Sequence, residues 1–133
     1  MIVRCRTAWG KGLPQNFRGL FYTERSVFHV TEGLDYEVYG LSLFNAGLVV
    51  LLKDDSGVPN WYPVEFFTVL DGKIPEGWHF GYHISEDSNT DAFWGYEQLV
   101  NDPTHQQGLL ERDPAALDFF DRVIRRSNYS DGG

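Results

Sequence analysis

Between Leu34 and Ile84 the chain alternates short apolar or period-two runs with clusters of glycine, aspartate, asparagine and proline, and this rhythm restricts the fold more than any other feature. Short strands joined by tight turns pair with their sequence neighbours antiparallel. Leu34, Tyr36 and Val38 alternate with Asp35, Glu37 and Tyr39, giving one apolar and one polar side. At Gly40 the phase slips, and Tyr39, Leu41 and Leu43 become the apolar set; a glycine at a phase slip predicts a β-bulge. Asn45–Gly47 reads as a turn into Leu48–Leu52, an unbroken apolar run expected in the middle of the sheet. Asp54, Asp55, Ser56 and Gly57 supply the next turn, and Pro63 confines the returning stretch to an edge. Phe66–Leu70 makes another strand, Asp71 and Gly72 turn the chain, and Trp78, Phe80, Tyr82 and Ile84 recur at period two. Met1–Arg6 and Val27–Thr31 are further strand candidates, with a glycine and proline loop from Trp9 to Asn16.

The pattern changes near Ser85–Asn89. Tyr96–Asn101 fits a short helix, and the final segment carries stronger signals. Asp113 sits at an N-cap, Pro114 at the first helical position, and Arg122, Arg125 and Arg126 near the C-terminal end, where cations suit the helix dipole. Ala116, Leu117, Phe120, Val123 and Ile124 fall on one face at helical spacing. The expected architecture is a single α+β domain over 1–133. It is β-rich over 1–84, helical over 91–126 and frayed over 127–133. A bent antiparallel sheet or partly closed small β-barrel would carry the C-terminal helices packed on it.

A chain of 133 residues with 42% hydrophobic and 16% aromatic side chains is far from the composition of a disordered polymer and long enough to bury a core. Cys5 is the only cysteine, so the core rather than an intramolecular disulfide must hold the fold, which suits a reducing compartment. The start lacks the long apolar stretch of a secretory signal, and no apolar run approaches the roughly 20 residues that span a bilayer. A soluble, cytoplasmic protein is expected.

Charge is distributed unevenly. From Glu32 to Asp102 thirteen carboxylates face two lysines, Lys53 and Lys73, in a stretch that also carries Tyr36, Tyr39, Trp61, Tyr62, Phe66, Phe67 and Trp78. Met1–Val30 holds Arg4, Arg6, Lys11, Arg18 and Arg25 against Glu24 alone. The net charge of -8 disfavours nonspecific binding to DNA, RNA or anionic lipid, all of which require a basic surface. Two readings remain open: the basic N-terminal piece pairs with the acidic body inside the domain, or the acids stay free for a cationic partner.

Candidate chemistry is sparse. Adjacent carboxylates such as Asp54 and Asp55 can hold a divalent cation or share acid and base work, but Ser56 and Gly57 complete no calcium-loop pattern, and turn acids commonly cap backbone amides. His79 and His83 have a zinc spacing only on a helix; on the strand predicted here they would lie about 13 Å apart. Cys5 between Arg4 and Arg6 points away from both on a strand and into the core. Gly10 and Gly12 lack the strand, loop and helix order of a phosphate cradle. His105 and Glu97 are the only other residues offered for an acidic catalytic pocket. Trp61, Tyr62 and Pro63, just past the acidic turn, have the composition of an interface, where rings anchor and acids steer. The same rings would equally serve to close the core.

The runs Asp35–Ser42, Lys53–Pro63, Phe66–Asp71 and Ile74–Phe80, with Gly95–Val100 and Leu109–Asp113, resemble small acidic bacterial proteins. Some such proteins are similar to immunity proteins, which neutralise a toxin delivered between competing bacteria. The resemblance implies a non-enzymatic immunity protein that occludes the active site of a cognate toxin with an electropositive site, without cofactor or metal. The partner-binding residues expected on this reading are Asp54, Asp55, Trp61, Tyr62, Glu65 and Asp71, with Glu86, Asp87 and Asp91 secondary. The competing expectation is a small barrel adaptor that binds a peptide or protein segment through an aromatic groove.

Overall fold

The computed structural model describes residues 1–7, 28–44, 47–82 and 90–131. Its strands are β1 Ile2–Cys5, β2 Asp35–Glu37, β3 Gly40–Phe44, β4 Gly47–Lys53, β5 Pro59–Pro63, β6 Phe67–Asp71, β7 His79–Tyr82 and β8 Thr90–Gly95. A short 3-10 helix, Val64–Phe66, links β5 to β6, and three helices follow: α1 Glu97–Asn101, α2 Pro103–Glu111 and α3 Pro114–Asp131. The fold is α+β, with antiparallel pairing and C-terminal helices. The strands form two sheets, in the orders β2-β1-β6 and β5-β4-β3-β8-β7. Among the described residues these sheets do not close into a barrel.

Side-chain direction makes three layers of these parts. Val3 and Cys5 of β1, Tyr36 of β2 and Phe67 of β6 point the same way and bury themselves against Val50 and Leu52 of β4 and Tyr62 of β5. Leu51, between Val50 and Leu52, turns to the opposite face and packs with Leu99, Leu109, Ala116 and Phe120 of the three helices. The five-stranded sheet therefore lies between the smaller sheet and the helices, and period-two alternation in β4 serves both cores. An apolar run with both faces buried reads as unbroken, which is why Leu48–Leu52 shows no alternation. β4 is an interior strand, next to the β5 edge.

The phase slip at Gly40 has a different cause from the predicted bulge. The amide of Val38 donates to Met1 O in the smaller sheet, whereas the next amide, Tyr39, donates to Leu51 O in the larger one. The chain crosses from one sheet to the other between these two residues, and the inward face changes with it. Gly40 is required for a second reason: it pairs with Gly95 of β8, and Leu99 of α1 sits over both, so that a Cβ on Gly40 would collide with Leu99 Cδ2. The paired glycines let α1 lie directly on the sheet.

Other expectations need correction. The segment 28–31 is not a strand; Phe28 and Val30 are buried, with the Phe28 ring edge-on to Phe66 at 4.7 Å, and the His29 carbonyl accepts from the Asp55 amide at 2.8 Å. The strand pattern does not stop at 84, because β8 pairs with both β3 and β7. Its residues Thr-Asp-Ala-Phe-Trp-Gly alternate weakly, and that hid it. α2 lies within the stretch expected to be helical: the Asp102 carboxylate accepts from the amides of Thr104 and His105, and Pro103 occupies the first turn. α3 starts at Pro114 as expected but runs to Asp131, through most of the stretch expected to fray. The Trp9–Asn16 loop, Asn45, His83 and the Ser85–Asn89 loop lie outside the described residues.

Candidate functional site

The turn between β4 and β5 was the first candidate, and its geometry is that of a structural hub. Gly57 takes φ +86°, and the Asp54 carbonyl accepts from its amide at 2.9 Å while the Asp54 amide donates to Val58 O at 3.0 Å. A positive φ favours glycine here. The hairpin brings Asn60 and Tyr62 back beside Asp54, whose carboxylate accepts from Tyr62 Oη at 2.5 Å, Asn60 Nδ2 at 2.8 Å and the Ser56 amide at 2.9 Å. Ser56 Oγ donates as well. Burial alone would raise the Asp54 pKa, but the donors from Ser56, Tyr62 and Asn60 together outweigh it and hold the carboxyl below its ordinary value.

The expected contact residues lie in different surroundings. Asp54 is only 5% exposed and Tyr62 3%, and each satisfies the other. Trp61 is half-buried, packs against both cores and lies 6.1 Å from the Phe93 ring. Asp55 is exposed, yet both its oxygens are engaged, by Thr31 Oγ1 at 2.6 Å and Tyr36 Oη at 2.7 Å. The backbone carbonyl of Glu65 accepts two bonds from the Arg6 guanidinium, at 3.1 and 2.7 Å, and its carboxylate Oε2 is buried without a partner among the described residues. Asp71 is exposed and its Oδ1 accepts from the Lys73 amide at 3.0 Å, fixing the turn after β6. Asp91 belongs to β8, and Glu86 and Asp87 lie outside the described residues. Of the N-terminal cations, Arg4 pairs with Asp35 at 2.7 Å on the surface. Lys11, Arg18 and Arg25 lie outside the described residues.

A second region has the opposite character. Val69, Leu70, Ile74, Phe80 and Tyr82 are 46–61% exposed, and all belong to one segment, Phe67–Tyr82, that also presents Asp71 and Glu76. This arm contains β6, an edge strand of the smaller sheet, and β7, an edge strand of the larger. Phe80 lies across from Trp94 of β8, with ring centroids 4.9 Å apart, and Tyr82 follows on the same face. The period-two spacing of these aromatics reads as a strand, and the fold leaves Phe80 and Tyr82 exposed at a sheet edge.

The residues offered for a catalytic pocket are not brought together. Glu97 is exposed at the start of α1, whereas His105 is buried between Tyr96 and Phe119, with Nε2 2.6 Å from Tyr96 Oη. Burial pushes the His105 pKa down, against a smaller opposing pull from Asp102, and pushes the Tyr96 phenol well above its ordinary value. An open depression beside α2, lined by Pro103, Thr104, Gln107, Gly108, Glu111 and Asp113, includes neither residue. No helix among the described residues is long and apolar enough to cross a membrane. No protein-family model, curated protein sequence or solved structure matches the chain.

Proposed function

We propose that this chain is a non-enzymatic immunity protein whose working surface is the Phe67–Tyr82 arm, and that its partner is a protein toxin with an electropositive active site. The observation that carries the reading is the concentration of exposed apolar side chains in that arm, flanked by the exposed acids Asp71 and Glu76. Exposed apolar groups gathered in one segment gain about 25 cal/mol per Å² when a partner covers them. The surrounding negative charge accelerates encounter with a cationic site and disfavours anionic competitors. Occlusion of an active site needs no reactive residue in the inhibitor. Asp54 and Tyr62 play a structural part instead, fixing the shape of the β4–β5 turn.

The test is co-expression with the C-terminal domain of the protein encoded in the adjacent reading frame. Cells should survive that domain only when this chain is present, and the double substitution Phe80→Asp and Tyr82→Asp should abolish protection while leaving soluble, folded protein. A domain that is harmless alone, or equally lethal with and without this chain, defeats the proposal.

A further inference from the structure

Among the described residues the two sheets have four edges, and they are not protected alike. β5 is blunted by Pro59 and Pro63, which cannot donate to a new neighbour, and Trp61 and Tyr62 between them are turned into the cores. β2 is three residues long and carries Asp35 and Glu37. Neither device occurs in β7, His79–Tyr82, where Phe80 and Tyr82 are 58% and 61% exposed. β6 is interrupted by a register shift opposite Ile2 and Val3, a distortion that turns an edge away from pairing. β7 keeps unbroken register with β8 at all of its residues: His79 with Gly95, Phe80 with Trp94, Gly81 with Phe93 and Tyr82 with Ala92. Every second residue of such an edge strand directs its amide and carbonyl outward.

We infer that the partner docks by adding an extended segment of its own to β7, as a sixth strand of the larger sheet, with apolar residues alternating with basic ones. This rests on the reading of the partner as a cationic protein. One face of the added strand would lie beside the shelf made by Phe80, Tyr82 and Trp94, where apolar side chains are complementary. The other would lie on the helix side, where α1 packs alongside β7 and opens with the exposed Glu97. Lysine or arginine at alternate positions complements Glu97 there and the acids Asp71 and Glu76 of the arm. A second copy of this chain is the poorer occupant: it brings another net charge of -8, and its own β7 offers no lysine or arginine.

The experiment measures backbone amide exchange in the free chain and in its complex with the C-terminal domain encoded by the adjacent reading frame. Alternate amides of His79–Tyr82 should exchange at least about tenfold more slowly in the complex, while the Asn60–Tyr62 amides stay as they were. Tyr82→Ala should weaken binding about tenfold or more, with an unchanged melting temperature. If the domain binds and the β7 amides exchange as in the free chain, strand addition is wrong and the toxin-binding reading survives. If the domain does not bind, that reading fails and the inference falls with it. Slowing that appears in the free chain as its concentration rises, together with a dimer mass, would assign the edge to a second copy and overturn the inference.

Discussion

The Asp54 turn and the Phe67–Tyr82 arm are built from the same ingredients, acids beside large aromatic side chains, and the fold uses them in opposite ways. In the turn, a carboxylate precedes Asn60 and Tyr62 by a hairpin's length, so the returning strand delivers two donors to it and the ring carrying one of them enters the core. In the arm, the acid comes first and the rings follow on a different strand at a sheet edge, where Trp94 accompanies Phe80. Phenylalanine offers a carboxylate no hydrogen bond. Adjacency of charge and ring in a sequence therefore says little until the strand pairing decides whether they meet each other or face outward.

That contrast can be broken most forcefully at Asp54. Asp54→Ala leaves the buried Tyr62 hydroxyl without its acceptor and should cost about 3 kcal/mol of unfolding free energy in urea titration, while the folded fraction still binds. A loss of binding with stability intact would return Asp54 to the contact surface. The arm should respond the other way round. The double change Phe80→Asp and Tyr82→Asp should weaken partner binding by about 2 kcal/mol or more in calorimetry and move stability by no more than about 0.5 kcal/mol.

Two pH effects sharpen the comparison further. The Asp54 pKa is depressed in the fold, so its contribution to stability is complete above the ordinary carboxylate range near about 4 and disappears as pH falls through the lowered value. Wild type should accordingly lose more stability between neutral and strongly acid pH than Asp54→Asn does. An equal loss in both would mean that the hub donors do not favour the charged form. For His105 the folded pKa is also depressed: stability is full above about 6.5 and declines as pH falls through the lowered value. That decline should vanish in His105→Gln, followed by thermal melting between neutral and mildly acid pH. The smallest effect belongs to Arg4→Ala, which removes an exposed pair with Asp35 and should leave the denaturation midpoint unchanged within error.

Much of the larger sheet was readable from local signals. The apolar run of β4, the turn at Asp54–Gly57 and the proline-marked edge β5, like the start of α3 at Pro114 outside the sheet, carry residues whose preferences act within a few positions. What escaped depends on partners distant in sequence. The smaller sheet joins β1 to strands at 35–37 and 67–71, and the switch between Val38 and Tyr39 looks like a bulge until both acceptors are known. β8 was hidden because its burial comes from two flanking strands rather than from its own alternation. The predicted contact set mixed exposed Asp55 and Asp71 with buried Asp54 and Tyr62 for the same reason: sequence gives proximity along the chain, and burial is decided across it.

The central position of β1 has a consequence for how the chain reaches this state. Residues 2–5 leave the ribosome well before the two strands that flank them, at 35–37 and 67–71. The hairpins from Gly40 to Pro63 need no such wait. We expect β1, made ahead of both its partners, to be seated late, so that in pulse-labelled refolding the amides of β4 become protected before those of β1. Simultaneous protection of the two would show that both sheets condense in a single step.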